Sequence, residues 1–272
     1  MQNLDLTPLG RLWVLAVGTL RPPPGRQRVI VAFAYGILCH LVFGLAVAAM
    51  IIAMFFGMSE SLGSVPQPWS SFANAALVAQ FPILHSLLLS RRGSAWLKRL
   101  APRHYAGTLS TTTYAIVASM QHLLLFALWT PSGTVWWRAE GAVLVVICTR
   151  YASSWLLLLK ASYDAGAEVQ SGALGWMSLA QNKRPEFPDM PTNGLFRFIR
   201  QPIYVAFALT LWTVPIWTPD QLALAIVLTA YCLAAPMLKE RRFKERYGDR
   251  FASYQRTVPY AVPSFRRSNA ND

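Results

Sequence analysis

Charge is scarce in this chain, and negative charge scarcest. Only 14% of the 272 residues are charged, and 12 acidic residues face 25 lysines and arginines. A soluble domain carries about a quarter charged residues, so that class is excluded. The 54% hydrophobic content points instead to one membrane domain. A net charge of +13 could by itself suggest nucleic acid. The cations, however, lie between apolar runs, as membrane-topology signals do, and no nucleic-acid partner is expected. Cysteine is nearly missing as well. Cys39, Cys148 and Cys232 fall inside apolar segments without metal-ligand spacing, which fits simple burial. His40, His85 and His122, in or near apolar spans, match no ligand motif either, and no metal site is expected. Internal repeats and low-complexity tracts are absent. No cleavable signal peptide is expected, because the first long apolar run starts near Val29, behind four arginines.

What is present is a succession of apolar spans. Residues 8–20 are apolar but too short to cross a bilayer; they read as an interfacial helix or an unstructured lead-in, within a segment 1–28 that ends in a proline-broken basic stretch. Val29–Phe56 is the clearest transmembrane helix, and its Gly36 and Gly44 suggest close helix contact. Ser70–Leu89, Leu109–Leu128 and Gly141–Leu159 complete a four-helix region over 29–160. The loop 57–69 has no lysine or arginine, whereas 91–103 is strongly basic. Of the 25 basic residues, Arg138 alone lies in an outside loop and Arg150 alone within a span. This asymmetry predicts that both termini are cytoplasmic, with the bacterial inner membrane the expected location. Residues 161–272 form the third region. A long loop, Ala161–Pro202, favours function over simple connection. A hairpin follows with arms Ile203–Trp217 and Gln221–Leu238, crossing fully or re-entering, its ends on one face. The predicted fold is all-α and polytopic, with about six membrane helices including this hairpin, and a cytoplasmic cofactor site.

Chemistry concentrates at the two ends of the hairpin. The first end reads Gly194-Leu-Phe-Arg-Phe-Ile-Arg200-Gln-Pro202-Ile-Tyr204. Pro202 suits the first turn of a helix, and Arg197 and Arg200 before it read either as membrane-face anchors or as a fork for a carboxylate. The second end carries Lys239, Glu240, Tyr247, Gly248 and Tyr254. Glu245–Tyr260 mixes basic, aromatic and apolar residues as an interfacial amphipathic helix would. Arg150 within a span is costly unless paired, beside a water-filled cavity, or snorkelling from a tilted helix.

The order Arg-x-Pro-x-Tyr, hairpin, glutamate, Tyr-Gly, Tyr and a closing x-Pro resembles the C-terminal signature of integral-membrane methyltransferases. That group includes isoprenylcysteine carboxyl methyltransferases and phospholipid N-methyltransferases; the likeness is greatest to the methanethiol S-methyltransferase and NnrU-type branch. It is good over 189–263 and traceable from Gln80 to Trp137, through His85-Ser86 and Trp129-Thr-Pro131. The resemblance implies S-adenosylmethionine as cofactor, with Arg200 and Glu240 as catalytic residues. Arg197, Arg200, Gln201, Pro202, Tyr204, Glu240, Tyr247 and Tyr254 would bind it, and His85 and Arg150 would contact substrate. The acceptors it implies are small thiols, isoprenylated cysteine carboxylates or lipid amines. Two positions depart from the pattern: Gln201 stands for the family histidine and Lys239 for its first glutamate. They favour, as an alternative, an accessory NnrU-type membrane protein. A membrane reductase using NADPH ranks last, because the asparagine- and glycine-containing signature expected there is missing.

Overall fold

The computed structural model describes residues 7–263. Helix α1 is Pro8–Leu20, and the Thr7 side chain caps it by accepting from the Gly10 amide at 3.3 Å. It is followed by α2 (Arg26–Phe55), α3 (Trp69–Leu88), α4 (Arg91–Arg99) and α5 (Ser110–Ala127). Next come β1 (Trp137–Arg138), α6 (Gly141–Asp164), α7 (Ala167–Gln170) and α8 (Ala173–Ala180). A 3-10 turn at Gly194–Arg197 leads to α9 (Pro202–Trp212), β2 (Ile216–Trp217), α10 (Pro219–Tyr247) and α11 (Asp249–Thr257).

The all-α polytopic expectation is borne out. By length and composition α2, α3, α6 and α10 can each cross a membrane. Helix α5 has 18 residues and keeps Thr112, Thr113, Ser119 and Gln121 buried against its neighbours. At 11 residues α9 is shorter still, so the hairpin has unequal arms. One core runs between α2, α3, α5, α6, α9 and α10, built on Met54, Phe126, Leu211, Leu224 and Leu228.

Three stretches depart from the sequence expectation. The basic segment 91–103 contains α4, begun by Ser90, whose side chain accepts from the Gly93 amide at 3.1 Å. The segment 161–202 is a long loop only in part: the end of α6, α7 and α8 occupy its first twenty residues, and 181–193 runs without regular structure to the 3-10 turn. Its helix α8 is buried along nearly its whole length. The Thr112 hydroxyl accepts from the Trp176 amide at 2.9 Å and donates to the Gly172 carbonyl at 2.7 Å. Gly36 of α2 is the seat of the Trp176 ring, which a Cβ there would meet at 2.6 Å. The third departure is the proposed helix 245–260. It breaks at Gly248, where φ is 50°, so α11 folds back across the end of α10.

Helix α1 packs on α7 and α8. Arg11 pairs with buried Glu168 at 3.0 Å, and Arg28 donates to the carbonyls of Pro23 and Ala180. At the face opposite the basic loops, β1 and β2 pair antiparallel, with Trp137 opposite Trp217. There Asp220 accepts from Trp129 Nε1 at 3.1 Å and from the Ser132 amide at 2.9 Å, tying the loop after α5 to the start of α10. These clasps fix the far ends of α9 and α10. Their near ends therefore meet at the basic face.

Candidate active site

Pro202 opens α9 because it lacks the N–H that a first turn leaves unbonded anyway. The two amides before it, of Arg200 and Gln201, donate instead to the carbonyls of Pro259 and Tyr260, at 2.9 and 3.1 Å. The chain beyond α11 thus runs as a strap across the start of α9.

Arg200 and Glu240, 40 residues apart, meet under that strap. Arg200 Nε donates to Glu240 Oε1 at 2.8 Å and Nη2 to Oε2 at 3.4 Å. Each side chain is only 12% exposed, so solvent screens the pair weakly. Nη1 donates to the Gln255 and Val258 carbonyls at 3.1 and 2.5 Å, and the guanidinium lies over the Tyr260 ring. Glu240 also accepts from Gln201 Nε2 at 2.7 Å and from Gln255 Nε2 at 2.8 Å. Glu240 lies beyond the apolar stretch of α10, which ends at Leu238. Burial alone would raise its carboxyl, but the hydrogen bonds from Arg200, Gln201 and Gln255 outweigh burial and hold it below the usual carboxylate range.

The two departures from the family pattern touch each other. Lys239 Nζ donates to Gln201 Oε1 at 3.4 Å, while the same amide donates to Glu240. A neutral amide suits both neighbours, since it carries an acceptor for the ammonium and a donor for the carboxylate. Around Nζ stand the rings of Phe196, Phe243 and Tyr204, with centroids at 5.5, 5.4 and 6.0 Å. These rings form an aromatic cage for a cation. Tyr254 closes one side and donates to the Phe196 carbonyl at 2.6 Å; burial pushes its phenol up to about 12. Free space between these groups is about 10 Å³, room for one water at most.

The remaining expected site residues lie elsewhere. Arg197 is exposed on the 3-10 turn, and Tyr247 packs on Phe243 and Arg246 at the rim. Arg150 sits on the exposed face of α6, outside the cluster. His85 is deeper, its Nε2 2.8 Å from the Tyr114 hydroxyl and its ring edge-on to Tyr231. Its buried Nδ1 has no partner among the described residues. Helix α10 is stitched to the end of α3 where Arg242 donates to the Leu89 carbonyl. A separate cavity of about 830 Å³ opens in the apolar wall between α2, α5, α6 and α9, beside Met50, His122, Tyr151 and Phe207.

Sequence reasoning missed Gln255, Phe196, Phe243 and Tyr260. Gln255 and Tyr260 arrive only because the chain reverses at Gly248, and that glycine was the one local signal. Phe196 and Phe243 look like ordinary interfacial aromatics until the fold sets both against Lys239.

Known proteins are similar to this chain over most of its length. The chain is 28% identical over 243 residues to methanethiol S-methyltransferase 1 of Bradyrhizobium diazoefficiens, covering 88% of this chain and 84% of that protein. It is 26% identical over 192 residues to a methanethiol S-methyltransferase of Mycobacterium tuberculosis, covering 70% and 77%. It is also 27% identical over 247 residues to Nurim of Xenopus laevis, covering 79% and 82%. No family model and no solved structure matches it. The resemblance to the integral-membrane methyltransferases, carried first by residues 189–263, is thereby borne out over most of the chain.

Proposed function

We propose that this protein is a membrane methyltransferase that uses S-adenosylmethionine to methylate a small thiol. The observation that carries the reading is the Arg200–Gln201–Glu240 cluster at the junction of α9 and α10, in which two signature residues, Arg200 and Glu240, meet with Gln201 at the position of the family histidine. Methanethiol S-methyltransferases similar over most of the chain support the thiol as acceptor. Both termini cytoplasmic in an inner membrane, with the cofactor drawn from the cytoplasm, is the orientation that the basic face supports.

The residues present fit the proposed cofactor. Glu240 is an anion, Arg200 offers a planar cationic fork, and the rings of Phe196, Tyr204, Phe243 and Tyr254 suit a cationic group and an adenine. Arg200 and Gln201 would hold a carboxylate, and Glu240 the ribose hydroxyls or the neighbourhood of the sulfonium. S-adenosylmethionine supplies an electrophilic methyl group when bound. The chain's own part is alignment and exclusion of water, for which no side-chain nucleophile is needed. The strap holding Arg200 would have to loosen to admit the cofactor, since the present space is too small. A thermal-shift comparison of the detergent-purified protein with S-adenosylmethionine, S-adenosylhomocysteine and NADPH tests the reading. Stabilisation by the first two is expected. Stabilisation by NADPH alone, or by none, would refute it.

A further inference from the structure

By charge alone Lys239 is ill suited to a sulfonium site, yet it lines the same cluster as Arg200, Gln201 and Glu240. Among the described residues its ammonium has one oxygen partner, Gln201 Oε1 at 3.4 Å, and it also faces three rings. The adjacent carboxylate is taken by other donors: Arg200, Gln201 and Gln255 all bond Glu240. A primary amine with so little access to water gives up its proton more readily than a free lysine, although the rings and Glu240 oppose this, and its neutral form has a lone pair. We propose that Lys239 is the base that takes the proton from the thiol acceptor. This rests on the methyltransferase reading above and assigns the proton-transfer step that its thiol acceptor needs.

The chemistry of the acceptors explains why a base identifies the class. A carboxylate arrives already ionised, and a neutral amine attacks through its own lone pair. A thiol is mostly protonated at neutral pH, and only its thiolate is a strong nucleophile. The S–H bond breaks and its proton passes to Lys239 Nζ. The sulfur pair so released forms the new S–CH3 bond as the C–S bond of the sulfonium donor breaks. The products are a thioether and S-adenosylhomocysteine, and the ammonium later returns its proton to water. Other candidates are less suited. His85, against Tyr114 and Tyr231, and Cys39, Cys148 and Cys232 all lie outside the cluster that lines Arg200 and Glu240.

Burial pushes Lys239 down to about 8, with Glu240 opposing and Arg242 assisting. The charged and titratable groups facing it are Glu240 and Arg242 on its own helix, Arg200 before α9, Tyr204 on α9 and Tyr254 on α11. Of these, Glu240 is held in its anionic form and the tyrosines stay neutral outside strongly basic solution, which leaves Lys239 as the group that changes charge near pH 8.

The test uses the full chain in detergent, with methanethiol and an alkaneselenol as acceptors. The selenol is ionised at neutral pH and needs no base. Wild-type kcat/KM for the thiol should rise with pH to a plateau past about pH 8. Lys239→Met should lose that limb and about 100-fold in rate, yet retain most of its rate on the selenol. Lys239→Arg, which keeps the charge but cannot release a proton, should fail on the thiol likewise. Two readouts are independent of turnover. Calorimetry with S-adenosylhomocysteine should show that both variants still bind it, with any loss of affinity much smaller than the roughly 100-fold loss of rate on the thiol. Carbon NMR of reductively methylated protein, assigned with Lys239→Met, should show Lys239 titrating near pH 8. An unchanged pH profile in Lys239→Met, equal losses on thiol and selenol, or titration alongside the exposed lysines would overturn the proposal. Loss of S-adenosylhomocysteine binding by the wild type would instead overturn the methyltransferase reading beneath it.

Discussion

Replacing Arg200 by alanine removes the bolt of the strap. The wild-type side chain makes two bonds to Glu240 and two to the Gln255 and Val258 carbonyls. Its loss leaves a carboxylate that is 12% exposed without its cation, and two carbonyls without a donor. Breaking such a pair costs roughly 3–5 kcal/mol when fully buried; for a pair at the edge of the fold the low end, about 3 kcal/mol, applies. At about 1.4 kcal/mol per decade, local opening of the strap should become on the order of 100-fold more frequent. The reporters are the Arg200 position and Gln201 amides, bonded to Pro259 and Tyr260, and the amides of α11. Hydrogen exchange read by mass spectrometry should show them speeding up together, while peptides from α2 and α5 keep their protection. Arg200→Lys should recover only part of the protection, because an ammonium cannot serve the carboxylate and the carbonyls with one planar fork. Unchanged exchange in Arg200→Ala, with the fold intact, would refute the bolt.

Other predictions follow from single contacts. Because Glu240 is held below the usual carboxylate range, its contribution to the strap is present above the ordinary value and is lost only as pH falls through the lowered one. Strap protection in wild type should therefore persist at about pH 4.5 and fail on further acidification, a dependence absent from Glu240→Gln. Gln201→His should keep the fold and bind S-adenosylmethionine at least as tightly, since one ring nitrogen can donate to Glu240 while the other accepts from Lys239; loss of binding in a folded protein would contradict the alignment. Gly36→Ala drives a methyl into the Trp176 ring and should cost about 1–3 kcal/mol, seen as a lower Tm. A cysteine introduced at residue 96 should resist an impermeant thiol reagent added outside sealed inner-membrane vesicles of native orientation; labelling there would contradict the topology.

The membrane helices were legible because twenty apolar residues in a row have few alternatives. Helix α8 was not: at eight residues it is too short to register as a span, and its burial depends on Thr112 and Gly36 from distant helices. Gly36 was read as a helix-contact position, and the contact proves to be with Trp176 of this short helix. Pro202 marked the start of α9 correctly, since its effect is local. The pairing of Arg200 with Glu240 followed from the hairpin returning to one face. What the hairpin could not reveal is that Arg200 already holds a carboxylate, the chain's own, and that Gln255 completes the ring around it. The reversal at Gly248 decides both, and one glycine does not specify a direction of turn. Lys239 looked like a defect beside Glu240; only the fold shows that it is buried among Phe196, Tyr204 and Phe243, away from the water that would hold its proton.

The most direct measurement is calorimetric titration of S-adenosylmethionine and S-adenosylhomocysteine into wild type and Glu240→Gln. The two ligands differ by the methyl group and the positive charge on sulfur. If Glu240 lines the cofactor site, wild type binds both, and Glu240→Gln loses about tenfold or more for the sulfonium, with a smaller loss for the neutral ligand, matching the ~1.5–3 kcal/mol of a charge-assisted contact. Equal affinities in the two proteins for both ligands, or no binding by wild type, would contradict the account.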